Sequence, residues 1–554
     1  MLKPFEQHSP PGQDTTKSDT TATSHIGHAA TLLDQVPNND TWLEDNKGIF
    51  SCPTANSVIV EEKDEGVSNM PIESPNLDQS TETWKDCEVC PDLSFYQQKQ
   101  VTDLLQQYPD VLTDVPGQCT IGEHKIALTS DEPFKRRNIP VPQALQGHMK
   151  DEIAKLVKND IIEPSNSPYS NPVLLIAKPD KKSYRMVFDA RAINNHTIPD
   201  CEPMPHMQTM FDDLAECKYM SHLDLTCGYF QINLHKDSRK YTAFTTGLDA
   251  HLYQFKKMPF GLRNSGQTFV RVMRQVLAGI PNIRIYVDDI MIYTKDWKTH
   301  LDILKQVLDR LRKYGLTAKP SKAKIGFPQI QFVGFTIGNG EKRPIDNKVE
   351  AIVKATKPKT KRQLKSFLGS CGWYRASIPN YSDKVHLLTE QTKKCHPNSI
   401  TWNPKLTQDF EDLKSCLAKR PVLKLVDYSL PFIVQTDGSS VAISGVLLQP
   451  HNGVNHPVHY VSRKLLPREQ NYPIAEIEAL AVVYSLDKFK YYLDSRKFTL
   501  YVDSTSLLHI NNVKKQSNQR LVRWGIQLTK FDFDIKRIKG EDNHLTDYLS
   551  RCVE

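Results

Sequence analysis

The sequence has no long hydrophobic run. The first 46 of its 554 residues hold no apolar stretch long enough for a secretory signal, and no later stretch approaches the roughly 20 residues of a membrane span. Cysteine is scattered, with 11 residues in the chain, which favours reduced thiols over a disulfide framework. We therefore expect an intracellular protein, cytoplasmic or nuclear, without a membrane partner.

Two common ligand signatures are also missing. The sequence contains no P-loop and no glycine fingerprint for a dinucleotide, which argues against the nucleotide-binding folds that use them. Cys87 and Cys90 have the spacing of half a zinc site, but no second pair or nearby histidine at zinc spacing completes it. We interpret this cysteine pair as incidental.

Charge is distributed unevenly along the chain. Residues 1–95 hold five lysines, no arginine and 17 acidic residues, a balance of −12. Because the whole chain carries +7, the remaining residues carry +19. A cationic body of this size favours a polyanionic partner such as nucleic acid, whereas generic solubility charge is the simpler alternative.

Composition and periodicity divide the chain into regions. Residues 1–92 are rich in Thr, Ser, Asp, Pro and Asn without sustained periodicity, so we expect a disordered acidic leader. Helical and strand patterns then alternate to about residue 340, and residues 358–394 are mainly helical. After Pro431 the pattern predicts an α/β unit with strands near 432–436, 443–448, 458–461, 498–502 and 533–538 and a long helix over 474–493.

The most informative segment is residues 282–293, with the sequence NIRIYVDDIMIY. Isoleucine and valine recur at every second position, which predicts a β-hairpin with Asp288 and Asp289 at its tip. Adjacent carboxylates repel each other, so both stay ionised mainly where cations lie between them. With Asp224, which closes an apolar segment upstream, they could hold paired divalent ions for attack of a hydroxyl on a phosphate. The alternative is that the Asp pair only forms a turn.

Further motifs occur in a fixed order around this segment. In the first part of the chain they are residues 184–191 (YRMVFDAR), 223–231 (LDLTCGYFQ), 258–264 (MPFGLRN), 286–289 (YVDD), 315–322 (GLTAKPSK), 332–335 (FVGF), 367–369 (FLG) and 373–375 (WYR). In the last part they are residues 436–439 (TDGS), 476–481 (EIEALA) and 543–551 (NHLTDYLSR). Together they resemble the reverse transcriptase and ribonuclease H of gypsy-type LTR retrotransposon Pol polyproteins, from about residue 120 to 552.

The resemblance implies a fold and a division into domains. The expected fold is an α+β right-hand polymerase with fingers, palm and thumb, followed by an α/β RNase H-like domain. We place the fingers and palm at residues 93–345, the thumb and connecting helices at 346–427, and the RNase H-like domain at 428–554. No Asp-Thr-Gly or Asp-Ser-Gly protease signature occurs, and we expect the chain to be a segment of a larger polyprotein.

The resemblance also implies a set of polymerase metal ligands. Asp224, Asp288 and Asp289 correspond to the palm carboxylates, which would hold two Mg²⁺ ions, with Asp289 as the weaker ligand. Mn²⁺ is a possible substitute because oxygen ligands suit either ion.

Four other residues match positions that contact the incoming nucleotide. Lys178 and Arg185 correspond to residues of the fingers that grip the triphosphate, and a solvated loop position is the alternative for Lys178. Tyr229 stands at the position of an aromatic gate against the ribose 2′-hydroxyl, with a core tyrosine as the alternative. Phe260 replaces the Gln that retroviral enzymes usually carry.

The second active site would contain four carboxylates that hold two further Mg²⁺ ions. Asp437, Asp503 and Asp547 match three of them, and either Glu476 or Glu478 supplies the fourth. At 100° per residue Glu476 falls on the expected solvent face of its helix and Glu478 on the inward side. Because an unpaired buried carboxylate is costly unless it meets a metal or a partner, we expect Glu478 to be catalytic.

The implied function is that of an RNA-directed DNA polymerase with RNase H activity. Such an enzyme uses an RNA template, a DNA or tRNA primer and dNTPs, and it cleaves the RNA strand of RNA–DNA hybrids. Two alternatives stay open: an element-derived nucleic-acid-binding protein that has lost catalysis, and a protein in which only the RNase H works. The sequence does not specify the oligomeric state.

Overall fold

The computed structural model describes residues 81–177, 184–205, 208–211, 213–248, 251–419, 421–510 and 518–538. The described residues all belong to one compact unit of the chain. Within these ranges no helix has the length and apolar character needed to cross a membrane.

Short strands and helices alternate over residues 81–345. The strands are β1 (Glu88–Val89), β2 (Glu123–His124), β3 (Ile162–Pro164), β4 (Asn171–Ala177), β5 (Tyr184–Phe188), β6 (Tyr219–Asp224), β7 (Asn233–Leu234), β8 (Phe244–Thr245), β9 (Tyr253–Phe255), β10 (Ile283–Tyr286), β11 (Asp289–Thr294), β12 (Lys324–Phe327), β13 (Gln329–Phe332), β14 (Phe335–Gly338) and β15 (Glu341–Pro344). The helices are α1 (Phe95–Leu105), α2 (Gln146–Lys158), α3 (Arg191–His196), α4 (Lys236–Arg239), α5 (Ser265–Val276) and α6 (Trp297–Lys313).

Helices dominate the next region, and a second α/β unit follows it. The helices are α7 (Asp346–Val353), α8 (Lys361–Trp373), α9 (Tyr381–Lys384), α10 (His386–Glu390), α11 (Pro404–Ala418), α12 (Ile474–Leu493) and α13 (Gln519–Leu528). The strands are β16 (Leu423–Lys424), β17 (Phe432–Gly438), β18 (Ala442–His451), β19 (Val454–Lys464), β20 (Lys497–Val502) and β21 (Asp532–Arg537).

The palm sheet has the strand order β1-β12-β6-β11-β10 and is antiparallel except for the β1–β12 pair. Strand β11 is suited to an inner position because it is apolar on both faces. Ile290 and Ile292 pack into a core with α5 and α6, and Met291 and Tyr293 pack into a second core with the thumb. The hairpin predicted for residues 283–292 is confirmed, with β10 and β11 as its arms.

The fingers sheet has the order β3-β9-β8-β4-β5. Its core is aromatic: Phe188, Phe244 and Phe255 pack with ring centroids 5.2 to 6.3 Å apart. The apolar residues 173–176 form part of β4, although among these four only Val173 is fully buried.

The thumb combines a four-stranded sheet, β13-β14-β15-β16, with helices α7, α8 and α11. Phe332 and Phe335 of the sheet share one core with Phe367 of α8 and Phe410 of α11. Strand β16, after all these helices, pairs with β15. The boundary expected at residue 345 therefore cuts through one packed unit, because strands β13 to β15 bury their apolar face against the helices that follow them.

The C-terminal domain has the sheet order β19-β18-β17-β20-β21. The first three strands are antiparallel, and β17, β20 and β21 are parallel. Helix α12 covers one face, where Val482 and Phe489 pack with Val434 and Leu500. The strands and the long helix predicted for this unit are confirmed, and α12 has the predicted bounds.

The expected start of ordered structure at residue 93 is wrong for the described residues just before it. Strand β1 pairs in parallel with β12, and Cys87, Cys90 and Leu93 are buried. These residues belong to the palm because β12 would otherwise present an unpaired edge. The expected leader at residues 1–80 lies outside the described residues.

Leu93→Ala should destabilise the protein, whereas Phe95→Ala should not. Leu93 is 7% exposed and lies beside Gly326 of β12, while Phe95, two residues later, is 85% exposed. Removing the buried side chain should cost about 2 kcal/mol, and removing the exposed one less than about 0.5 kcal/mol. Urea denaturation of the three proteins measures the difference. Equal midpoints for both variants would show that residues before 95 are not part of the palm core.

Candidate active sites

Strand register brings the palm carboxylates together. Asp224 is the last residue of β6, Asp289 is the first of β11, and the two are paired directly across the antiparallel ladder. Asp288 is the second residue of the two-residue turn of the β10–β11 hairpin and directly precedes Asp289. Its carbonyl oxygen accepts a hydrogen bond from the Leu225 amide at 3.1 Å. Three acidic residues from two distant parts of the sequence thus meet at one edge of the palm sheet.

The turn that carries Asp288 is strained. Val287 has φ = 55°, a left-handed conformation that is an outlier for a β-branched residue and costs about 1–3 kcal/mol. Such a turn persists only where its surroundings fix it, and here Val287 packs against the palm core. The strain therefore marks a backbone position that is tightly determined beside the two other carboxylates.

A glycine allows the next segment to approach this turn closely. A Cβ atom at Gly228 would lie 2.9 Å from the Phe269 ring and 3.3 Å from Cβ of Asp288. Only glycine can occupy this position without displacing the Phe269 ring, the turn that carries Asp288, or both.

Lys322 is a counter-ion for Asp224 that the sequence did not reveal. Its Nζ lies 3.1 Å from both carboxylate oxygens of Asp224, and the Lys319 amide donates to the Asp224 carbonyl at 2.8 Å. Lys322 belongs to the 315–322 motif, but nothing in the sequence pairs it with Asp224. Its position depends on the packing of the segment between α6 and β12.

His222 makes the corresponding contact with Asp289. Its Nε2 lies 2.9 Å from Asp289 Oδ1, and its ring meets the Phe332 ring edge-on at 6.4 Å. Burial lowers the pKa of His222, but the hydrogen bond and charge of Asp289, with the charge of Asp224, outweigh it and raise the pKa overall. His222 thus links a palm carboxylate to the hairpin at residues 332–335.

The clustered carboxylates oppose one another's ionisation. Burial raises the pKa of Asp288 to about 7, and the charges of Asp289 and Asp224 add to the shift. Burial also raises the pKa of Asp224, although the ammonium of Lys322 opposes that rise. Without further positive charge, full ionisation of this group is unfavourable.

Tyr229 lies beside this cluster in an aromatic stack. It is 7% exposed, and its ring centroid is 4.6 Å from that of Phe260 and 5.2 Å from that of Phe269. Its hydroxyl would be 3.9 Å from a Cβ atom at Gly266. The two aromatic positions singled out in the sequence, Tyr229 and Phe260, are therefore in contact.

The predicted triphosphate contacts are largely outside the described structure. Lys178 lies outside the described residues. The backbone of Arg185 is in β5, where it pairs with Ile176 of β4, and its side chain is not described.

In the C-terminal domain, Asp437 and Asp503 emerge from neighbouring strands. Strands β17 and β20 are parallel, with Gln435 opposite Tyr501, so Asp437 and Asp503 each follow this pair by two residues. Burial raises the pKa of Asp437, and the charges of Asp503 and Asp383 contribute. The predicted fourth ligand, Asp547, lies outside the described residues.

Glu478 reaches the same end of the sheet from helix α12. A Cβ atom at Gly438 would be 3.0 Å from the Ile477 side chain and 3.3 Å from the Glu478 amide nitrogen, so α12 begins directly against the end of β17. Burial raises the pKa of Glu478, and the charges of Asp503 and Asp437 raise it further. A hydrogen bond with Ser504 opposes part of this rise. Its Oε2 is buried and has no hydrogen-bond partner among the described residues.

The expectation that Glu476 faces solvent is wrong, although the choice of Glu478 is consistent with the geometry. Glu476 is buried, pairs with Arg520 and accepts a hydrogen bond from Asn518 at 2.6 Å. Helix α13 and the residue before it cover that face of α12. A helical wheel cannot show this packing, because α13 is distant in sequence.

Two parts of the chain match known protein families. Residues 176–337 match the family described as reverse transcriptase (RNA-dependent DNA polymerase), and residues 427–531 match the RNase H-like domain found in reverse transcriptase. The chain is 33% identical over 435 residues to the retrovirus-related Pol polyprotein from transposon 297 of Drosophila melanogaster, which covers 77% of this chain and 40% of the relative. It is 29% identical over 473 residues to the transposon Tf2-3 polyprotein of Schizosaccharomyces pombe, with 83% and 35% covered.

The chain thus carries a reverse transcriptase domain and an RNase H-like domain, and it is similar to the Pol polyproteins of retrotransposons. It spans less than half the length of these relatives.

Solved structures confirm the expected fold. One foamy viral protease–reverse transcriptase in complex with an RNA/DNA hybrid has a TM-score of 0.69 at 24% identity and covers 81% of this chain and 61% of the other. Another, in complex with double-stranded DNA, has a TM-score of 0.72 at 23% identity and covers 87% and 84%. The polymerase hand followed by an RNase H-like domain, expected from the motifs, is thus confirmed.

The donor chemistry of both sites fits divalent cations. Among the described residues no three His, Cys, Asp or Glu side chains are already gathered around one ion position, and in the reverse transcriptase domain Lys322 and His222 contact the carboxylates instead. The carboxylates are nevertheless hard oxygen donors of the kind that Mg²⁺ prefers. In the RNase H-like domain the unpartnered Glu478 Oε2 is a further oxygen that a cation would satisfy.

Asp288→Asn should make the stability of the protein less dependent on pH. The pKa of an Asp side chain in an unfolded chain is about 3.9, whereas the pKa of Asp288 in the folded protein is about 7. Between about pH 4 and pH 7 the unfolded state is therefore ionised and the folded state is not, so the free energy of unfolding falls as the pH rises. Between pH 5.5 and 8, in EDTA, the free energy of unfolding of the parent should fall by about 1–2 kcal/mol more than that of the variant.

Denaturation curves at the two pH values measure this difference, and Asp302→Asn on the exposed face of α6 is the matched control. Added Mg²⁺ at pH 8 should stabilise the parent more than Asp288→Asn. Parallel pH profiles for the parent and Asp288→Asn would show that the palm carboxylates do not repel one another.

Proposed function

We propose that the chain is an RNA-directed DNA polymerase that extends a primer on an RNA template and cleaves the RNA strand of the resulting hybrid. The observation that carries this proposal is the direct pairing of Asp224 with Asp289, beside the turn that holds Asp288. It is supported by the family membership of both domains.

The palm carboxylates would hold the metal ions of the polymerase reaction. Asp224 and Asp288 are the proposed ligands of two Mg²⁺ ions, with Asp289 in support. Bound Mg²⁺ would make the primer 3′-hydroxyl more acidic and neutralise charge on the triphosphate. Lys322 supplies positive charge to Asp224, and His222 fixes Asp289 through its hydrogen bond.

The nucleotide site is proposed to lie between the fingers and the palm. Lys178 and Arg185 would bind the triphosphate, Arg185 through a bidentate guanidinium and Lys178 as a point charge. Tyr229, held in its stack by Phe260 and Phe269, would exclude a ribose 2′-hydroxyl and admit dNTPs.

The RNase H-like domain would act on the same nucleic acid. Asp437, Glu478, Asp503 and Asp547 are the proposed carboxylates, and they would hold two Mg²⁺ ions that activate water towards an RNA phosphodiester. The partners are proposed to be an RNA template, a DNA or tRNA primer, dNTPs and the RNA–DNA hybrid. The charge of +19 on residues 96–554 supports a nucleic-acid ligand, and the structural neighbours were solved with a hybrid and with double-stranded DNA.

A second candidate is an element-derived protein that binds nucleic acid without turnover. The same charge distribution favours it. The clustering of carboxylates at two separate sites is the observation against it, because groups that repel one another are costly unless a cation or a partner compensates their charge.

Single substitutions should separate the two activities. Asp288→Asn should abolish primer extension, with a loss of at least about a thousandfold, and leave hybrid cleavage unchanged. Asp437→Asn should do the reverse. Primer extension on an RNA template and cleavage of a labelled hybrid, measured on the same preparations, test both statements.

Loss of both activities in either folded variant would mean that the roles are misassigned. A parent protein that binds nucleic acid in a salt-sensitive manner but has neither activity would favour the second candidate.

Substitution of Tyr229 should relax the choice of sugar. Tyr229→Val removes the ring, and the ratio of rNTP to dNTP incorporation should rise at least about tenfold, equivalent to about 1.4 kcal/mol. Tyr229→Phe keeps the ring and should behave like the parent. Single-nucleotide incorporation with each substrate gives the ratio, and an unchanged ratio in Tyr229→Val would assign Tyr229 to the core alone.

A further inference from the structure

A short segment of the thumb is fastened to the RNase H-like domain. This segment, residues 380–390, contains α9 and α10 and contacts strands β18 and β19. The Ser382 amide donates to Ser462 Oγ at 3.1 Å, and the two hydroxyl oxygens are 3.0 Å apart. Glu390 forms an ion pair with Lys464. Because the segment is attached near both of its ends, its position against the RNase H-like domain is fixed.

Asp383 lies between these attachments and touches the loop that follows Asp437. Ser439 Oγ donates a hydrogen bond to Asp383 Oδ1 at 2.8 Å. Ser439 also closes the turn between β17 and β18, because its amide donates to the Ala442 carbonyl at 2.8 Å and its hydroxyl accepts from the Ala442 amide at 3.0 Å. The thumb thereby holds a turn that begins two residues after a proposed metal ligand.

We propose that Asp383 of the thumb is a positioning residue of the RNase H site, which strengthens cation binding there. The proposal rests on the RNase H function proposed above. Its hydrogen bond fixes the Ser439 turn beside Asp437, and its carboxylate adds negative charge near Asp437. Asp383 is not proposed as a ligand itself.

This arrangement has a consequence for the organisation of the enzyme. Asp383 lies before residue 427, where the match to the RNase H-like domain begins. On this proposal the RNase H site has its full cation affinity only when the thumb is docked against β18 and β19. A displacement of the thumb segment would weaken cleavage without altering any residue of the RNase H-like domain.

The distinguishing variant is Asp383→Asn in the full chain. The amide oxygen of Asn can still accept the hydrogen bond from Ser439, while the negative charge is removed. The Mg²⁺ concentration for half-maximal hybrid cleavage should rise about three- to tenfold. Primer extension should keep its Mg²⁺ dependence. Asp412→Asn, an exposed thumb residue on α11, is the matched control and should leave both activities unchanged.

Ser439→Ala tests the role of the hydrogen bond alone, since it removes the hydrogen bond to Asp383 and keeps the negative charge of Asp383. It should lower the maximal cleavage rate more than it changes the half-saturating Mg²⁺ concentration. If Asp383→Asn matches Asp412→Asn in cleavage at every Mg²⁺ concentration, the proposed role of Asp383 is wrong.

A binding measurement makes the test independent of turnover. In an Asp288→Asn background, which disables the palm site, titration calorimetry with Mn²⁺ reports on the RNase H site. Adding Asp383→Asn should weaken Mn²⁺ binding about three- to tenfold. Unchanged binding would overturn the inference. A parent protein that binds Mn²⁺ at this site but does not cleave hybrid would contradict the proposed RNase H function and leave the role of Asp383 in cation binding supported.

Discussion

The pairing of Asp224 with Asp289 across β6 and β11 is the interaction on which the polymerase site depends. The pairing register follows from β11, which is buried on both faces. A shift of this strand by one residue would move the side chains that pack in one core into the other. Hydrophobic packing thus fixes the position of charged groups that repel one another. Lys322 and His222 offset part of that repulsion.

The two sites share a construction. In each, carboxylates leave the ends of adjacent strands, and a glycine lets a neighbouring segment approach within contact distance: Gly228 beside Asp288, and Gly438 beside Glu478. The strained turn at Val287, and the oxygen of Glu478 that has no hydrogen-bond partner in the described part of the chain, are local costs that the surrounding packing sustains. Such costs concentrate where a fold holds reactive groups for a ligand.

The local elements could be predicted from the sequence, and most contacts between distant elements could not. Alternating apolar residues indicated the Asp288–Asp289 hairpin, and strand ends placed Asp437 and Asp503. The burial of Glu476 by Arg520 and Asn518, and the contact of Lys322 with Asp224, depend on tertiary packing that no periodicity encodes. For Glu478 the prediction agreed with the geometry, but the argument about the solvent face was wrong. Strand β16 likewise joins the thumb sheet across a long helical insertion.

In the proposed polymerase site, the paired strands create a divalent cation site from Asp224, Asp288 and Asp289. Anomalous diffraction from crystals containing Mn²⁺, a primer–template and a dNTP tests it most directly. Bound Mn²⁺ should give anomalous density within about 2.1–2.3 Å of oxygens of Asp224 and Asp288, with Lys322 displaced from Asp224. Density absent from this sheet edge, with Lys322 still bound to Asp224 in the substrate complex, would contradict it.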